Sequence, residues 1–389
     1  MYDLIIVGAR CSGASLAIFL GRLGYNILLV DRATHVGPTL STHIIGEVDV
    51  YQHLRIEKRM NSSGAPFLTR FRVNVDSHLF ESDLIVTERA MSVRRELLDS
   101  YLMEEVKKLP NIKVELAINI KDVIKSNEKI TGVIGIDENG NEKRYQGKVV
   151  VGADGRNSTI ASLTNARIEQ QSSIDELAVL YGYFSGIQPL PVGTIEWYWT
   201  KDSIAICNPI DGGKHCIAFM FHPSNFKSWC NVDEFSCKIS KLNMLSPRIT
   251  NLSLEGNLKG IKRINSYVKN THGEGWVLVG DASANIHPIS GVGIDNAICT
   301  SEVLAIQLDK YLRNQESWTD VMTEYKKYRD ERIYPQFYAS QKTQALHKTA
   351  ITESQNSATS MLCTFPSLAK NLTIRSEAIL QILQEDEHE

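Results

Sequence analysis

LIIVGARCSG, at residues 4–13, is the stretch that decides the fold. Four apolar residues run into Gly8, which is typical of a buried strand that ends in a tight turn, and the apolar residues after it recur at helical spacing. Gly24 ends this helix, and NILLVD at 26–31 is a second buried-strand pattern. Residues 2–31 therefore predict one compact β-α-β unit at the start of an α/β protein.

The glycines of this stretch suit a turn that binds a diphosphate. Gly8 permits the tight turn, and Gly13 lets the helix pack closely on the strand. Amides at the helix start, around Ser12, would face the diphosphate, and Asp31 could accept hydrogen bonds from a ribose. Arg10 takes the place of the usual middle glycine, so it must hold an ordinary φ and direct its side chain away or onto an anion.

The rest of the chain alternates between strand-like and helical patterns. Residues 68–91 form short alternating strands that leave the first sheet, and a helix is predicted over about 94–108. Residues 112–151 predict a β-meander, and residues 174–222 predict the main sheet of a second domain. The sequence from about 296 to 338 is mostly helical, and its periodicity weakens past 341.

Composition excludes several classes of protein. The 389 residues carry 42 lysines and arginines against 45 acids, a net charge of −3, without the basic run expected of a nucleic-acid-binding protein. No apolar stretch reaches the roughly 18 residues that span a bilayer, and the N-terminus lacks the pattern of a secretion signal. The seven cysteines are scattered without a C-x-x-C pair, which argues against a disulfide framework and a metal site. We therefore expect a two-domain cytoplasmic protein with no nucleic-acid partner, bound metal or membrane-spanning segment.

Two later segments follow buried strands in the same way as the first turn. One is GADG at 152–155, and the other runs from GDA at 280–282 through Pro288 to GVG at 291–293. Together with the first stretch they resemble, in order, the motifs of FAD-dependent monooxygenases of the p-hydroxybenzoate hydroxylase type. The first motif, with Arg10, most resembles that of the branch of this family nearest to geranylgeranyl-reductase-like flavoproteins.

The resemblance implies FAD as the cofactor. In the family, the segment matching Gly280 and Asp281 lies against the ribityl chain, and the segment matching Asp154 and Gly155 lies near the diphosphate and the nicotinamide approach. Arg95, in the family's Arg-x-x-Leu-Asp pattern, would contact FAD. The residues predicted to bind FAD are Gly8, Arg10, Ser12, Gly13, Asp31, Arg32, Arg95, Asp154, Gly155, Gly280, Asp281, Pro288, Gly291 and Gly293.

The glycines after Pro288 would aim a helix N-terminus at the flavin, where a partial positive charge stabilises the anionic reduced form. The chain departs from the family pattern here. Ala284 replaces a usual histidine, with His287 nearby, and Asp295 replaces a usual asparagine. An acid at 295 that pointed inward would oppose the anionic flavin.

His43 lies in a loop that related flavoproteins send past the flavin ring. It could act as an acid or base there, or it could be a solvated or helix-capping histidine. EWYW at 196–199 partly resembles the Trp-x-Trp-x-Ile-Pro element of flavin halogenases but lacks Ile-Pro, and a plain aromatic core strand explains it equally. Pocket candidates with the same structural alternative are Tyr181, Tyr183, His215 and His222.

The predicted fold is α/β, with a Rossmann-like FAD-binding domain, an inserted and mainly antiparallel β substrate domain, and a helical C-terminal region. The FAD-binding domain is assigned to 1–67, 92–167 and 262–389, and the substrate domain to 68–91 and 168–261.

The favoured function is an FAD-dependent monooxygenase, a hydroxylase or epoxidase, acting on a small apolar or aromatic metabolite of secondary metabolism. In the family, oxygen from O2 is transferred through a flavin C4a-hydroperoxide. The sequence has no second glycine fingerprint in a suitable context, so electrons would come from transiently bound NAD(P)H or from a partner flavin reductase. A reductase or desaturase, a halogenase and a non-catalytic FAD-binding regulator are the alternatives, and the oligomeric state is open.

Overall fold

The structure is a computed structural model that describes residues 1–37, 41, 43–46, 49–75, 78–84, 90–346 and 373–375. The strands are β1 (Tyr2–Val7), β2 (Ile27–Val30), β3 (Ile44–Ile45), β4 (Phe67–Leu68), β5 (Arg70–Val75), β6 (His78–Asp83), β7 (Ala90–Ser92), β8 (Ile112–Glu115), β9 (Asn119–Ser126), β10 (Lys129–Ile136), β11 (Glu142–Gly152), β12 (Ile168–Gln171), β13 (Ala178–Ile187), β14 (Thr194–Trp199), β15 (Ser203–Pro209), β16 (His215–Phe221), β17 (Ile249–Ile261), β18 (Tyr267–Lys269), β19 (His272–Gly273), β20 (Trp276–Leu278), β21 (Ala284–Asn285) and β22 (Thr373–Arg375). The helices are α1 (Cys11–Arg22), α2 (Asp49–His53), α3 (Glu57–Asn61), α4 (Arg95–Lys107), α5 (Thr159–Leu163), α6 (Phe226–Trp229), α7 (Val232–Ile239), α8 (Gly293–Leu312) and α9 (Trp318–Leu346).

The first sheet is built around the predicted β-α-β unit. Its parallel strands follow the order β20-β11-β1-β2-β8, and β19 adds an antiparallel edge. The first half of β11 turns away from this sheet and pairs with β10, which pairs with β9. The predicted meander is therefore present from Asn119 onward, whereas Ile112–Glu115 joins the parallel sheet beside β2. Ile27–Val30 is apolar and buried throughout, as expected for a parallel strand covered on both faces.

Different elements cover the two faces of this sheet. Leu4 and Ile6 of β1 pack with α1, α4 and α8. Ile5 and Val7 point the other way, into the meander and α5. The predicted helix over about 94–108 is observed as Arg95–Lys107.

The second sheet follows the order β17-β13-β16-β15-β14-β5-β6-β22, and β5 with β14 is its parallel pair. One face packs on α6 and α7 through stacked aromatic rings such as Phe184 on Phe235. The other face carries an apolar group that we call the inner cluster. It includes Phe71, Val73, Trp197, Trp199, Ile206, Met220 and Ile289.

This architecture confirms the predicted α/β fold, with strands 70–83 and 178–261 joined in one mainly antiparallel sheet. The boundaries assigned to the two domains stay a prediction. Among the described helices, none combines the length and apolar character needed to cross a bilayer.

Candidate active site

The turn from β1 to α1 depends on its two glycines. Gly8 has φ +105°, and a Cβ there would lie 2.3 Å from the carbonyl oxygen of Ala153. A Cβ on Gly13 would lie 1.8 Å from the Gly8 carbonyl oxygen, so the helix can approach the strand only without a side chain. Arg10 has an ordinary extended conformation, φ −88° and ψ −165°, and its side chain is exposed.

An open cavity of about 280 Å³ lies beside this turn. All the residues predicted to bind FAD line it except Gly13 and Gly280. Gly280, with φ +62°, lies behind the wall, and a Cβ there would lie 2.1 Å from Ser12 Oγ. The three sequence motifs therefore converge on one cavity, which joins the ends of β1, β2 and β11 to the start of α8.

Two of the predicted acids are already held by the protein. Asp31 accepts hydrogen bonds from the amides of Ala9 at 2.7 Å and Ala33 at 2.9 Å, and each of its oxygens can accept one more. Asp154 accepts from the Ser158 hydroxyl and from the first amides of α5, at 2.6 Å for Thr159. The Asp154 carboxylate thus caps α5 and fixes the loop that lines the cavity, which is a different use from direct contact with a diphosphate.

Arg95 presents an unpaired donor at the cavity. Its Nη2 donates to both oxygens of Asp99, at 2.9 and 3.1 Å, and Cys11 Sγ also donates to Asp99. Arg95 Nε is buried and has no hydrogen-bond partner among the described residues. Desolvation raises the pKa of the nearby Asp281, although the charges of Arg95 and Arg156 act in the opposite direction.

Sequence reasoning missed Arg156 and Asn285, which also line the cavity. Arg156 directly follows the GADG segment, so its place in the motif was the available signal. In the described ranges, the side chains of Arg10, Arg32 and Arg156 make no ion pair with a carboxylate. These three arginines therefore keep their guanidinium groups available for the charges of a bound diphosphate.

The segment before α8 shows where the unusual acids and histidines point. Pro288, Gly291 and Gly293 line the cavity, so the start of α8 faces it. Asp295 turns away, because its oxygens accept from the Gly46 amide at 2.8 Å and the Tyr51 hydroxyl at 3.0 Å. The inward acid that would oppose an anionic flavin is therefore not observed.

His43 is buried, which contradicts the alternative of a solvated loop histidine. Its Nε2 lies 2.9 Å from the Tyr183 hydroxyl, and its Nδ1 has no partner among the described residues. Burial, with Arg95, Lys259 and Arg94 nearby, lowers the pKa of His43 to about 3.

Trp197, Trp199 and His215 are buried in the second sheet. Trp197 and Trp199 belong to the inner cluster, so the halogenase-like stretch is a core strand. His215 is buried, and desolvation lowers its pKa to about 4. No group of three or more His, Cys, Asp or Glu side chains in the described part of the chain could hold a metal ion.

A model of the FAD binding domain family matches residues 1–334. The chain belongs to this family. Membership confirms the resemblance drawn from the motifs, and with it FAD as the cofactor of an FAD-dependent oxidoreductase. The residues present fit FAD, because the glycine turns leave room for its backbone contacts and the orphaned Nε of Arg95 offers a buried donor.

Curated relatives and solved structures agree on the fold. The chain is 22% identical over 339 residues to digeranylgeranylglycerophospholipid reductase 2 of Methanococcoides burtonii, covering 83% of this chain and 79% of the relative. It is also 22% identical, over 76% of this chain and 74% of the relative, to 1H-pyrrole-2-carbonyl-[peptidyl-carrier protein] brominase of Pseudoalteromonas luteoviolacea. The structure of p-nitrophenol 4-monooxygenase from Pseudomonas putida superposes with a TM-score of 0.78 at 14% identity, covering 100% of this chain and 98% of that one.

Proposed function

We propose that this protein is an FAD-dependent monooxygenase that inserts one oxygen atom from O2 into a small apolar or aromatic metabolite. The junction between the cavity and the inner cluster carries this proposal. Ile44 and Ile264 line the cavity and also belong to, or pack against, the inner cluster, which includes Phe71 and Trp197. A substrate at this junction would meet the apolar side chains of Ile44 and Ile264, backed by the inner cluster, on one side and the cofactor on the other.

The chain's own groups would bind the cofactor and shape its electrostatics. Arg95, Arg10 and Arg156 would neutralise the diphosphate, and Asp31 and Asp281 would accept hydrogen bonds from ribose and ribityl hydroxyls. The N-terminus of α8 would stabilise negative charge on the cofactor ring. Reduced FAD would supply the electrons that activate O2, and the apolar wall would keep water from the reacting atoms.

The electron donor is part of the proposal. We infer either transient binding of NAD(P)H at the cavity mouth or delivery of electrons by a partner flavin reductase, because the sequence has no second dinucleotide fingerprint in a suitable context. We also propose a cytoplasmic location, a role in secondary metabolism, and the domain division 1–67, 92–167 and 262–389 against 68–91 and 168–261.

A second candidate is an FAD-dependent reductase, which the name of the archaeal relative supports. A halogenase is supported in the same way by the name of the brominase. The three reactions differ in what the product gains: one oxygen atom, two hydrogens, or one halogen in place of hydrogen.

One experiment separates them. The FAD-loaded protein is reduced by light without oxygen and then given 4-nitrophenol, geranylgeraniol, or pyrrole-2-carboxamide with bromide, with and without isotopically labelled O2. We expect labelled oxygen in an aromatic product. Hydrogenation of the alkene without oxygen would favour the reductase, and a brominated product that needs oxygen and bromide would favour the halogenase.

A further inference from the structure

His43 combines two features that few buried side chains share. Its φ is +65°, a conformation that residues other than glycine seldom adopt and that marks functional positions when the surrounding structure enforces it. Its Nδ1 is fully buried without a hydrogen-bond partner among the described residues. Both features cost folding free energy, so a ligand that relieves one of them is a reasonable explanation for their presence.

The partners of His43 fix which ring nitrogen carries the proton. The Tyr183 hydroxyl contacts His43 Nε2 at 2.9 Å and donates to Glu96 Oε2 at 3.4 Å, while Lys259 Nζ donates to the other Glu96 oxygen at 3.2 Å. The hydroxyl has a single proton, and an ionised carboxylate can only accept. The Tyr183 hydroxyl also hydrogen-bonds Tyr181, and this bond acts to raise the pKa of Tyr183 and to lower that of Tyr181, as expected when Tyr183 is the donor. Since the proton of Tyr183 goes to Tyr181 or Glu96, Tyr183 accepts from the Nε2–H of His43, which leaves Nδ1 as a bare acceptor.

This acceptor stays neutral at ordinary pH. Burial and the charges of Arg95, Lys259 and Arg94 lower the pKa of His43 to about 3, and burial raises the pKa of Tyr183. The ring of Tyr181 lies edge-on to His43, with centroids 5.8 Å apart, and limits its rotation. The arrangement thus suits a fixed hydrogen-bond acceptor rather than a group that takes up protons.

His43 also lies next to the proposed reaction site. His43 itself is fully buried and does not line the cavity, but its chain neighbours Ser41 and Ile44 do, and Ile44 packs against the inner cluster. A substrate would reach Nδ1 by displacing the side chains that separate it from the cavity. We propose that His43 Nδ1 accepts a hydrogen bond from a hydroxyl or N–H group of the substrate, with Tyr183 and Glu96 as positioning residues. The substrate would then be an apolar or aromatic molecule carrying such a donor, an inference that rests on the proposed function.

Nuclear magnetic resonance of the FAD-loaded full chain with nitrogen-labelled histidine tests the tautomer directly. We expect His43 to remain in the neutral Nε2–H form between about pH 5 and pH 8. Tyr183→Phe and Glu96→Gln should weaken the preference for the Nε2–H form. Tyr198→Phe is the matched control, because it removes a buried hydroxyl bonded to a glutamate in the same sheet, and it should leave the tautomer unchanged. An Nδ1–H form in the unchanged protein, or protonation near the ordinary histidine pKa, would overturn the proposal.

Indole and 1-methylindole test the binding step, because they differ only in the N–H donor and do not ionise. Titration followed by the visible absorbance of oxidised FAD should show indole binding about tenfold tighter. Tyr183→Phe should bring the two affinities together, and Tyr198→Phe should keep them apart. Equal affinities in the unchanged protein, or no binding of indole, would refute the substrate class. Neither the tautomer measurement nor the indole titration needs turnover. If both give the expected result but no oxygen is transferred, only the proposed function is refuted.

Discussion

Two buried arginines in this molecule bind carboxylates in similar ways, yet only one is fully satisfied. Arg248, in the second sheet, donates from Nη2 to both oxygens of Glu196 at 2.6 and 2.7 Å, from Nη1 to Gln188 and from Nε to Met244. Arg95, at the cavity, binds both oxygens of Asp99 but leaves Nε without a partner in the described ranges. The difference separates an arginine whose described donors are used in packing from one that keeps a buried donor without a partner at the cavity.

Two buried histidines repeat this contrast. His287 contacts the Leu177 carbonyl through Nε2 at 2.9 Å and accepts from the Ile289 amide at Nδ1, so both ring nitrogens are satisfied. His43 leaves Nδ1 without a partner in the part of the chain that the structure describes. In each pair, the member nearer the cavity is the one with the orphaned atom. His215 Nδ1 also lacks a partner among the described residues although His215 does not line the cavity, so an orphaned atom selects a side chain for ligand tests only together with its position near the cavity.

Glu196→Ala should give the largest effect, because it leaves the Arg248 charge buried without its partner. We expect the free energy of unfolding to fall by about 3–5 kcal/mol, as measured by urea denaturation. The FAD dissociation constant of the protein that remains folded should not change. A large loss of FAD affinity at unchanged stability would break the distinction between the two arginines.

Arg95→Lys tests the other member of the pair. Lysine keeps a cation beside Asp99 but loses the fork of donors, so we expect the FAD dissociation constant to rise about ten- to a hundredfold. Fluorescence titration of the protein freed of FAD measures this change. Arg248→Lys is the matched control, and it should lower stability while FAD affinity stays the same.

The two histidines should make the protein less stable in acid. Burial lowers the pKa of His287 from about 6.5 to about 4, so between these values the unfolded chain binds a proton that the native protein does not. Stability is therefore complete above about pH 6.5 and falls with decreasing pH, by at most about 1.4 kcal/mol per pH unit for each such histidine. His287→Asn should reduce the slope measured by urea denaturation at several pH values. An unchanged slope would show that His287 does not titrate as described.

Arg10→Ala should have the smallest effect. The side chain is exposed, so solvent screens its charge, and we expect FAD to bind about two- to fivefold more weakly at low salt. The difference should shrink as salt is added. Arg144→Ala removes an exposed arginine paired with Glu142 elsewhere, and it should leave FAD binding unchanged.

Local sequence patterns predicted much of the fold. The run of apolar residues into Gly8 and the spacing to Gly13 and Asp31 gave the β-α-β unit, because strand burial, helix packing and turn geometry there depend on neighbouring residues. The parallel pairing of β5 with β14 had no such signal, since each strand alone has the same alternating pattern whichever partner it meets.

The sequence likewise predicted some features of the candidate site and missed others. Motif positions predicted the residues that line the cavity, but not that Asp154 would cap α5 or that Asp295 would bind Tyr51. His43 looked like a polar loop residue because the groups that bury it, Tyr181 and Tyr183, come from a strand far along the chain. Such long-range contacts decide burial, and burial decides which tautomer and charge a histidine keeps.

The pairing of β5 with β14 also delays assembly of the second sheet until most of the chain up to β14 has been synthesised. Arg70 aligns with Thr194, so the β5–β6 hairpin leaves the ribosome long before its central partner exists. A two-stranded hairpin is at best marginally stable in water, and pairing across so long a loop is slow. Phe71 and Val73 of the inner cluster therefore remain uncovered during synthesis. The apolar cluster proposed to exclude water from the reaction is thus exposed before the chain is complete, when uncovered apolar surface and unpaired strand edges favour aggregation.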